Sequence, residues 1–255
     1  MRERRDDLLT VSAIGLLGYL AADLAHHLLG HGGACWLARG EILRLSSIVL
    51  TCSAESPWID LAGPAANFVV GFCAFWVMGA PVRGTLKLMA ALTAAFNLFW
   101  FAGQMLISVG TRTDDWAWVM SEYRLGTAAQ VLLVGIAVVL YVAVARRLAA
   151  VLTDFASPRD RLARVCRGAW LAAVLLACFS ALRDVDPLLA LWKHALPQGL
   201  ASPLGLLLIP GRAMQHELPP AEPYLTRSWS WIIAGVLGAL VSVGLLGAGI
   251  SLRWL

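Results

Sequence analysis

Charged residues are scarce in this sequence. Asp, Glu, Lys and Arg make up only 14% of the 255 residues, and hydrophobic residues make up 59%. A soluble domain is about 25% charged, so this composition argues against a water-soluble fold and favours a membrane protein. The net charge of +4 is carried by the segments between apolar runs. We therefore interpret it as topology information, and we expect no nucleic-acid partner.

Cysteine and histidine are also few, with five of each. The cysteines form no C-x-x-C motif and show no paired spacing, so we expect small buried thiols rather than a disulfide framework. Five histidines are too few for the histidine-rich di-iron sites of membrane desaturases. The chain also lacks the pattern of a cleavable signal peptide, because the apolar run after MRERRDD is longer than a signal h-region.

Apolar runs of spanning length recur along the chain. A bilayer core of about 30 Å needs about 20 apolar residues in a helix. The sequence thus predicts an all-α polytopic membrane protein that sits in a lipid bilayer, with about six transmembrane helices. We place these helices at 8–38, 57–80, 86–109, 127–145, 168–182 and 228–252. Residues 183–227 are rich in proline and contain only a half-length apolar run, so we expect a loop there.

Residues 39–56 differ from the runs on either side. Short β-prone stretches with polar breaks predict a small β-hairpin or re-entrant element after the first span, at the membrane surface. Orientation follows from the arginine-rich stretch 146–167, which we expect to be a cytoplasmic loop. With six spans, both termini are then predicted to be cytoplasmic.

Ionisable residues cluster inside the first apolar run, at Asp23, His26, His27 and His31. Such groups are costly in a membrane and mark functional sites. His27 and His31 are four residues apart, the helical spacing at which two imidazoles can bind one metal ion. Asp23 lies one turn before His27 and could orient its ring. We expect His26 to point elsewhere, into packing or a hydrogen bond.

Three motifs follow one another in the sequence: His27-Leu-Leu-Gly-His31, Asp60-Leu-Ala-Gly-Pro-Ala-Ala-Asn67, and Phe96-Asn97-Leu-Phe. Their order and spacing, with a β-prone insert after the first, resemble the site-2-protease family of intramembrane zinc metallopeptidases, the M50 class. The resemblance covers roughly residues 20–118. It implies a three-helix core within 1–126 that carries a metal site. Residues 127–255 would add further transmembrane helices and the proline-rich loop to the same membrane domain.

The resemblance implies a zinc ion held by two histidines and one carboxylate, and a glutamate in H-E-x-x-H that acts as general base. Leu28 stands at the position of that glutamate, and Met105 at the position of the family's aspartate. We therefore favour Asp115 as the third ligand; the alternative role for Asp115 is to cap the helix that follows it. Asn67 and Asn97 are expected to hydrogen-bond between helices, and the equivalent family positions help to hold the substrate backbone.

Two functions remain open from the sequence. The first is a zinc metallopeptidase-like enzyme that hydrolyses a peptide bond of a transmembrane protein substrate in or near the bilayer. The second is an inactive relative that serves as a membrane scaffold or binding subunit for a transmembrane partner, as the replacement by Leu28 suggests. An enzyme requires another proton acceptor close to the metal site, whereas a scaffold does not.

Overall fold

Helix α1 opens the fold and carries the histidines. It begins where the Asp7 carboxylate accepts a hydrogen bond from the Thr10 backbone N–H, and it runs over Leu8–Leu37. Within it, Ala25–Gly32 forms a π-helix. The computed structural model describes residues 5–156, 159–212 and 223–251. Among these, six helices are long and apolar enough to cross a membrane, in agreement with the number predicted.

A two-stranded hairpin follows α1, as predicted. Strands β1 (Ile42–Leu45) and β2 (Leu50–Cys52) pair antiparallel. A disulfide between Cys35 and Cys52 fastens this hairpin to the end of α1. The expectation of free thiols is wrong for this pair, because only the return of the hairpin towards α1 brings the two cysteines together.

The remaining helices form one bundle around α3. Buried side chains of α3, among them Phe96, Phe99 and Trp100, fill its centre, and α3 packs against α1, α2 and α5. The helices after the hairpin are α2 (Pro57–Gly79), α3 (Gly84–Thr111), α4 (Asp115–Glu122), α5 (Thr127–Phe155), α6 (Arg159–Ala181), α7 (residues 187–212) and α8 (Trp229–Leu246).

The arginine-rich stretch 146–167 is mostly helical, although we expected a loop. Helices α5 and α6 extend into it from both sides. Arginine is a good helix former, and Arg161 is buried because its guanidinium pairs with the Asp6 carboxylate, with Nε 2.7 Å from Oδ2.

Helix α7 occupies most of the predicted proline-rich loop. It is assembled from an α-helical turn (Pro187–Ala190), a π-helix (Leu191–Ala201), a short 3₁₀ turn (Ser202–Leu204) and a final α-helix (Gly205–Arg212). Proline removes backbone hydrogen bonds inside a helix. At the central break, the Tyr141 hydroxyl replaces them by donating to the Ser202 carbonyl and accepting from the Gly205 N–H.

Helix α7 runs antiparallel to α6 along the length of the bundle. Gly199 lies against Ala173 and Ala177 of α6, whereas Leu207 shares a surface cavity with Arg164 near the start of α6. This pass is additional to the six apolar helices. It was missed because its prolines and polar residues interrupt the apolar run.

The additional pass places the two ends of the described chain at opposite ends of the bundle. At one end, the Asp7 N–H donates to the Leu225 carbonyl just before α8. At the other end, Ile250, after α8, pairs with Leu45 of the hairpin. The structure therefore does not support the expectation that both termini lie on one side.

A reporter fusion tests this arrangement. With a green fluorescent protein at the N-terminus or at the C-terminus, we expect fluorescence only from the N-terminal fusion, since the protein does not become fluorescent when exported. Alkaline phosphatase fused at the C-terminus should be active, because it needs export. Fluorescence from both fusions would mean an even number of passes and would contradict the path of α7.

Candidate metal centre

The π-helix in α1 determines which histidines meet. A π-helix closes its hydrogen bonds between residues five apart instead of four, and such turns are frequent at functional sites. His26 and His31 are five residues apart, and their Nε2 atoms lie 3.1 Å from each other. Both side chains are buried.

Two glycines make room for these rings between α1 and α2. Gly30 lies against the backbone of Ala62 and Gly63, so that a side chain at Gly30 would collide with α2. Gly63 faces the rings themselves: a methyl group there would lie 2.6 Å from His31 Cε1 and 2.9 Å from His26 Cε1. Gly63, in the G-P segment of the second motif, therefore leaves free the space that the two histidine rings occupy.

Asp115 completes a triangle with the two imidazoles. Its Oδ2 lies 3.1 Å from His26 Nε2 and 3.4 Å from His31 Nε2. Asp115 is the first residue of α4, and the loop after α3 folds back to bring it under α1. Gln104 of α3 donates to the same carboxylate oxygen at 2.9 Å, which fixes its direction. The capping position of α4 belongs to Asp114 rather than to Asp115.

A chain of amide hydrogen bonds fixes the tautomer of His26. Asn97 Nδ2 donates to the Thr93 carbonyl, so Asn97 Oδ1 accepts from Asn67 Nδ2. Asn67 Nδ2 also donates to the Ala22 carbonyl, and Asn67 Oδ1 is therefore the atom that lies 2.6 Å from His26 Nδ1. His26 Nδ1 must carry a proton, which leaves a lone pair on neutral Nε2. The predicted hydrogen bonds of Asn67 and Asn97 between helices are thus confirmed.

His31 is oriented in the same way by the backbone. Its Nδ1 lies 2.7 Å from the Ile59 carbonyl oxygen, which can only accept. Nδ1 is then the donor, and the lone pair of the neutral ring is on Nε2. Two nitrogen lone pairs and a carboxylate oxygen therefore face one point, and such an arrangement needs a cation or a shared proton between them. Histidines that bind metals are oriented by the same kind of partner at the other ring nitrogen.

The dimensions of the triangle fit a small tetrahedral metal ion. Zinc binds imidazole nitrogen and carboxylate oxygen at about 2.0–2.1 Å, so two ligand atoms of one tetrahedron lie about 3.3–3.4 Å apart. The three separations in the structure are 3.1, 3.1 and 3.4 Å. Two histidines and one carboxylate leave a fourth position, as in catalytic zinc sites. The residues present therefore fit zinc in both chemistry and distance.

The pKa values of the two carboxyls in the loop before α4 move in opposite directions. Burial acts to raise the pKa of Asp115, but the neighbouring His31 and His26 imidazoles outweigh it and hold that pKa well below its usual range. Burial and the negative charge of Asp115 raise the pKa of Asp114 to about 7. Asp115 is accordingly the carboxylate that stays ionised at the centre.

The pair of histidines that the structure brings together is not the pair that the sequence predicts. The structure brings His31 and Asp115 together, but it places His26, not His27, opposite them; His26 also makes the hydrogen bond that we expected. His27 lies in the same buried group, with ligand atoms of the three histidines all within 4.8 Å of one another. Its Nε2 is 3.7 Å from Asp23 Oδ1.

A cavity of about 890 Å³ opens onto this group at the hairpin end of the bundle. The hairpin forms one wall, with Leu50 and Thr51, and α7 forms another, with His194 and Gln198. Leu28 is not among the cavity residues, and its side chain is 40% exposed on the outside of α1. The residue at the family's glutamate position in the sequence is therefore not at the site in space.

Sequence reasoning missed His26 and Gln104 as members of this site. The sequence does contain a signal for His26, because two adjacent histidines precede Leu-Leu-Gly-His31. If the turn between them and His31 holds one extra residue, His26 takes the place of His27 beside His31. Gln104 belongs to none of the three motifs, and nothing in its sequence surroundings indicates its contact with Asp115. No family model, curated protein or solved structure matches this chain.

The close fit of Gly63 leads to a prediction. Gly63→Ala should push the His31 and His26 rings apart and weaken the binding of a metal ion such as zinc at least about tenfold, as changes around metal ligands do. Gly79→Ala in the same helix is the matched control, because nothing lies within 4 Å of a methyl group there. Competition between a chelator and each variant for zinc measures the two affinities. Equal affinities would mean that the space at Gly63 is not needed for metal binding.

Proposed function

We propose that this chain is a multi-pass membrane zinc hydrolase, in which His26, His31 and Asp115 hold the metal. The triangle of ligand atoms carries this proposal, because two imidazole nitrogens and a carboxylate oxygen converge to within 3.4 Å of one another in a buried position. The bond class that we propose for hydrolysis is the peptide bond of a membrane protein substrate.

The resemblance to the site-2-protease family supports this reaction. If the π-helix represents one residue inserted into H-E-x-x-H, then His26 corresponds to the first histidine and His31 to the second. His27 then takes the position of the glutamate, directly after the first ligand. This alignment accounts for Leu28, which belongs to the extra turn and faces outward.

Some residues of the proposed site hold the metal ion, and others transfer a proton. A bound zinc ion would supply a Lewis acid and would lower the pKa of a water molecule bound to it. Asn67 keeps the proton of His26 on Nδ1, and the Ile59 carbonyl does the same for His31. His27 would accept the proton of the attacking water on a ring nitrogen and return it to the nitrogen of the leaving amine; Asp23 Oδ1 lies 3.7 Å from His27 Nε2. The cavity beside the hairpin admits the substrate segment.

We further infer that the site lies in the non-cytoplasmic half of the membrane. The Cys35–Cys52 disulfide is at the same end of the bundle as the cavity, and disulfides persist in oxidising compartments. Arg83, just before α3, Arg146, in the second half of α5, and Arg164, near the start of α6, lie towards the opposite end, which the positive-inside rule assigns to the cytoplasm. The N-terminus is then cytoplasmic, as predicted, whereas the C-terminus is not.

The inactive scaffold remains the second candidate, since no carboxylate occupies the glutamate position of the motif. It keeps the fold, and the cavity would bind a segment of a transmembrane partner. The metal alone does not separate the two candidates, because a structural zinc ion would bind in the same way. Proton transfer by His27 does separate them.

Metal content tests the ligand set. We expect about one zinc per purified chain, and we expect His26→Ala, His31→Ala and Asp115→Asn each to lose it. His27→Ala is the matched control, adjacent in sequence and equally buried, and it should retain zinc. Circular dichroism and gel filtration establish that each variant is folded.

Two results would overturn the ligand set. Loss of zinc in His27→Ala with retention in His26→Ala would restore the pairing that the sequence suggested. Absence of zinc from the wild-type protein after incubation with excess zinc would remove the metal centre, and the hydrolase with it.

Cleavage of a quenched fluorescent casein tests the role of His27. His27→Ala should retain zinc but lose about 10²–10⁴ in rate, the usual contribution of a general base. His27→Glu should recover part of the rate. Leu28→Glu in the His27→Ala background is the control and should recover none, because residue 28 faces outward. Rescue by Leu28→Glu would refute the alignment, and no cleavage by zinc-loaded wild type would favour the scaffold.

A further inference from the structure

A group of buried polar atoms behind the metal centre has no hydrogen-bond partner among the described residues. The atoms are Tyr19 Oη, Asp23 Oδ1, both ring nitrogens of His27, Trp100 Nε1 and Gln198 Oε1. Their residues are at most 4% exposed. We call Tyr19, Asp23, His27, Trp100 and Gln198 the polar column.

The members of the polar column come from three helices and meet in one place. Tyr19, Asp23 and His27 follow one another at four-residue intervals along one face of α1. The Trp100 ring of α3 stacks on Tyr19 with a centroid distance of 5.8 Å and lies 6.1 Å from the His27 ring. On the α7 side, the Tyr19 hydroxyl lies 3.6 Å from the position of a Cβ at Gly199, next to Gln198.

One end of the column is open to the cavity. His27 and Gln198 line the cavity beside the hairpin, whereas Tyr19, Asp23 and Trp100 do not. The column therefore extends from the cavity wall towards the centre of the bundle.

The chemistry of the five side chains identifies the ligand. A buried polar group without a partner costs more than an ordinary hydrogen bond contributes, so several of them in one place require a partner. The Trp100 N–H can only donate, whereas Asp23 and Gln198 Oε1 offer acceptors. A metal ion would serve the acceptors alone. Water both donates and accepts, and buried water typically satisfies about three such groups.

We propose that the polar column is a binding site for ordered water, which supplies the hydrolytic water to the metal centre past His27. The supply role rests on the proposed function. The hydration of the column does not, because it follows from the side chains of the column alone. The proposed metal centre and the proposed hydration of the column can therefore be confirmed or refuted independently.

Hydroxyl-radical footprinting in H₂¹⁸O tests the hydration directly on the full-length wild-type protein. Radicals form from water beside the side chain that they label, so Tyr19 and Trp100 should be labelled although they are buried. Phe96 is the internal control, since it is equally buried and its ring lies 5.7 Å from the Tyr19 ring. Labelling of Tyr19 and Trp100 no greater than that of Phe96, after correction for intrinsic reactivity, would overturn the proposal.

Thermal unfolding gives an independent test with a conservative variant. If water partners the Tyr19 hydroxyl, Tyr19→Phe should lower the melting temperature by about 2–4 °C. Tyr141→Phe is the matched control, because it removes a hydroxyl with two hydrogen bonds to α7 and should lower the melting temperature similarly. An unchanged or raised melting temperature in Tyr19→Phe alone would mean a dry column and would overturn the proposal.

Both tests are repeated after chelation of metal. Labelling that persists in the chelated protein supports the column independently of zinc. If the wild type binds no zinc yet shows this labelling, the column stands and the hydrolase fails. If zinc binds and labelling is absent, the column fails and the metal centre stands.

Discussion

The structure depends on the approach of two imidazole nitrogens and one carboxylate oxygen to within 3.4 Å inside an apolar bundle. Such groups repel unless a cation or proton lies between them, and burial increases the repulsion. The surrounding residues hold them there nevertheless. Gly30 and Gly63 let α1 and α2 touch, and the Asn97–Asn67–His26 chain keeps one ring nitrogen free of hydrogen. A fold that only needed to be stable would place apolar side chains here.

The helices that the sequence predicted are those whose apolar runs are long and uninterrupted, because run length alone decides whether a helix can cross a bilayer. The hairpin was likewise predictable from its β-prone residues. Helix α7 was not, because proline usually ends a helix. Its breaks are stabilised by groups distant in sequence, such as the Tyr141 hydroxyl, and a pattern along the chain does not reveal such partners. The sequence therefore predicted the six apolar helices but not the path of α7, which places the two ends of the described chain at opposite ends of the bundle.

In the site, too, the sequence reveals which residues are unusual but not which of them come into contact. The histidines and Asp115 were recognisable because ionisable groups are rare in so apolar a chain. Their pairing was not, since it depends on whether the turn after Ala25 is α or π. The Cys35–Cys52 disulfide is a further contact of this kind, made by the folding of the hairpin. The order of residues identifies the chemistry present, whereas the backbone decides which side chains meet.

One extra residue in a helix turn can change which of two adjacent histidines lies beside a third. In an α-helical H-x-x-x-H motif, the pair would be His27 and His31, and the residue after the first ligand would be Leu28. In the π-helix the close pair is His26 and His31, and the residue after the first histidine of that pair is His27, which belongs to the same buried group. Leu28 faces outward. Under the proposed alignment, Leu28 is not the counterpart of the glutamate, so its presence does not argue against the proposed enzyme.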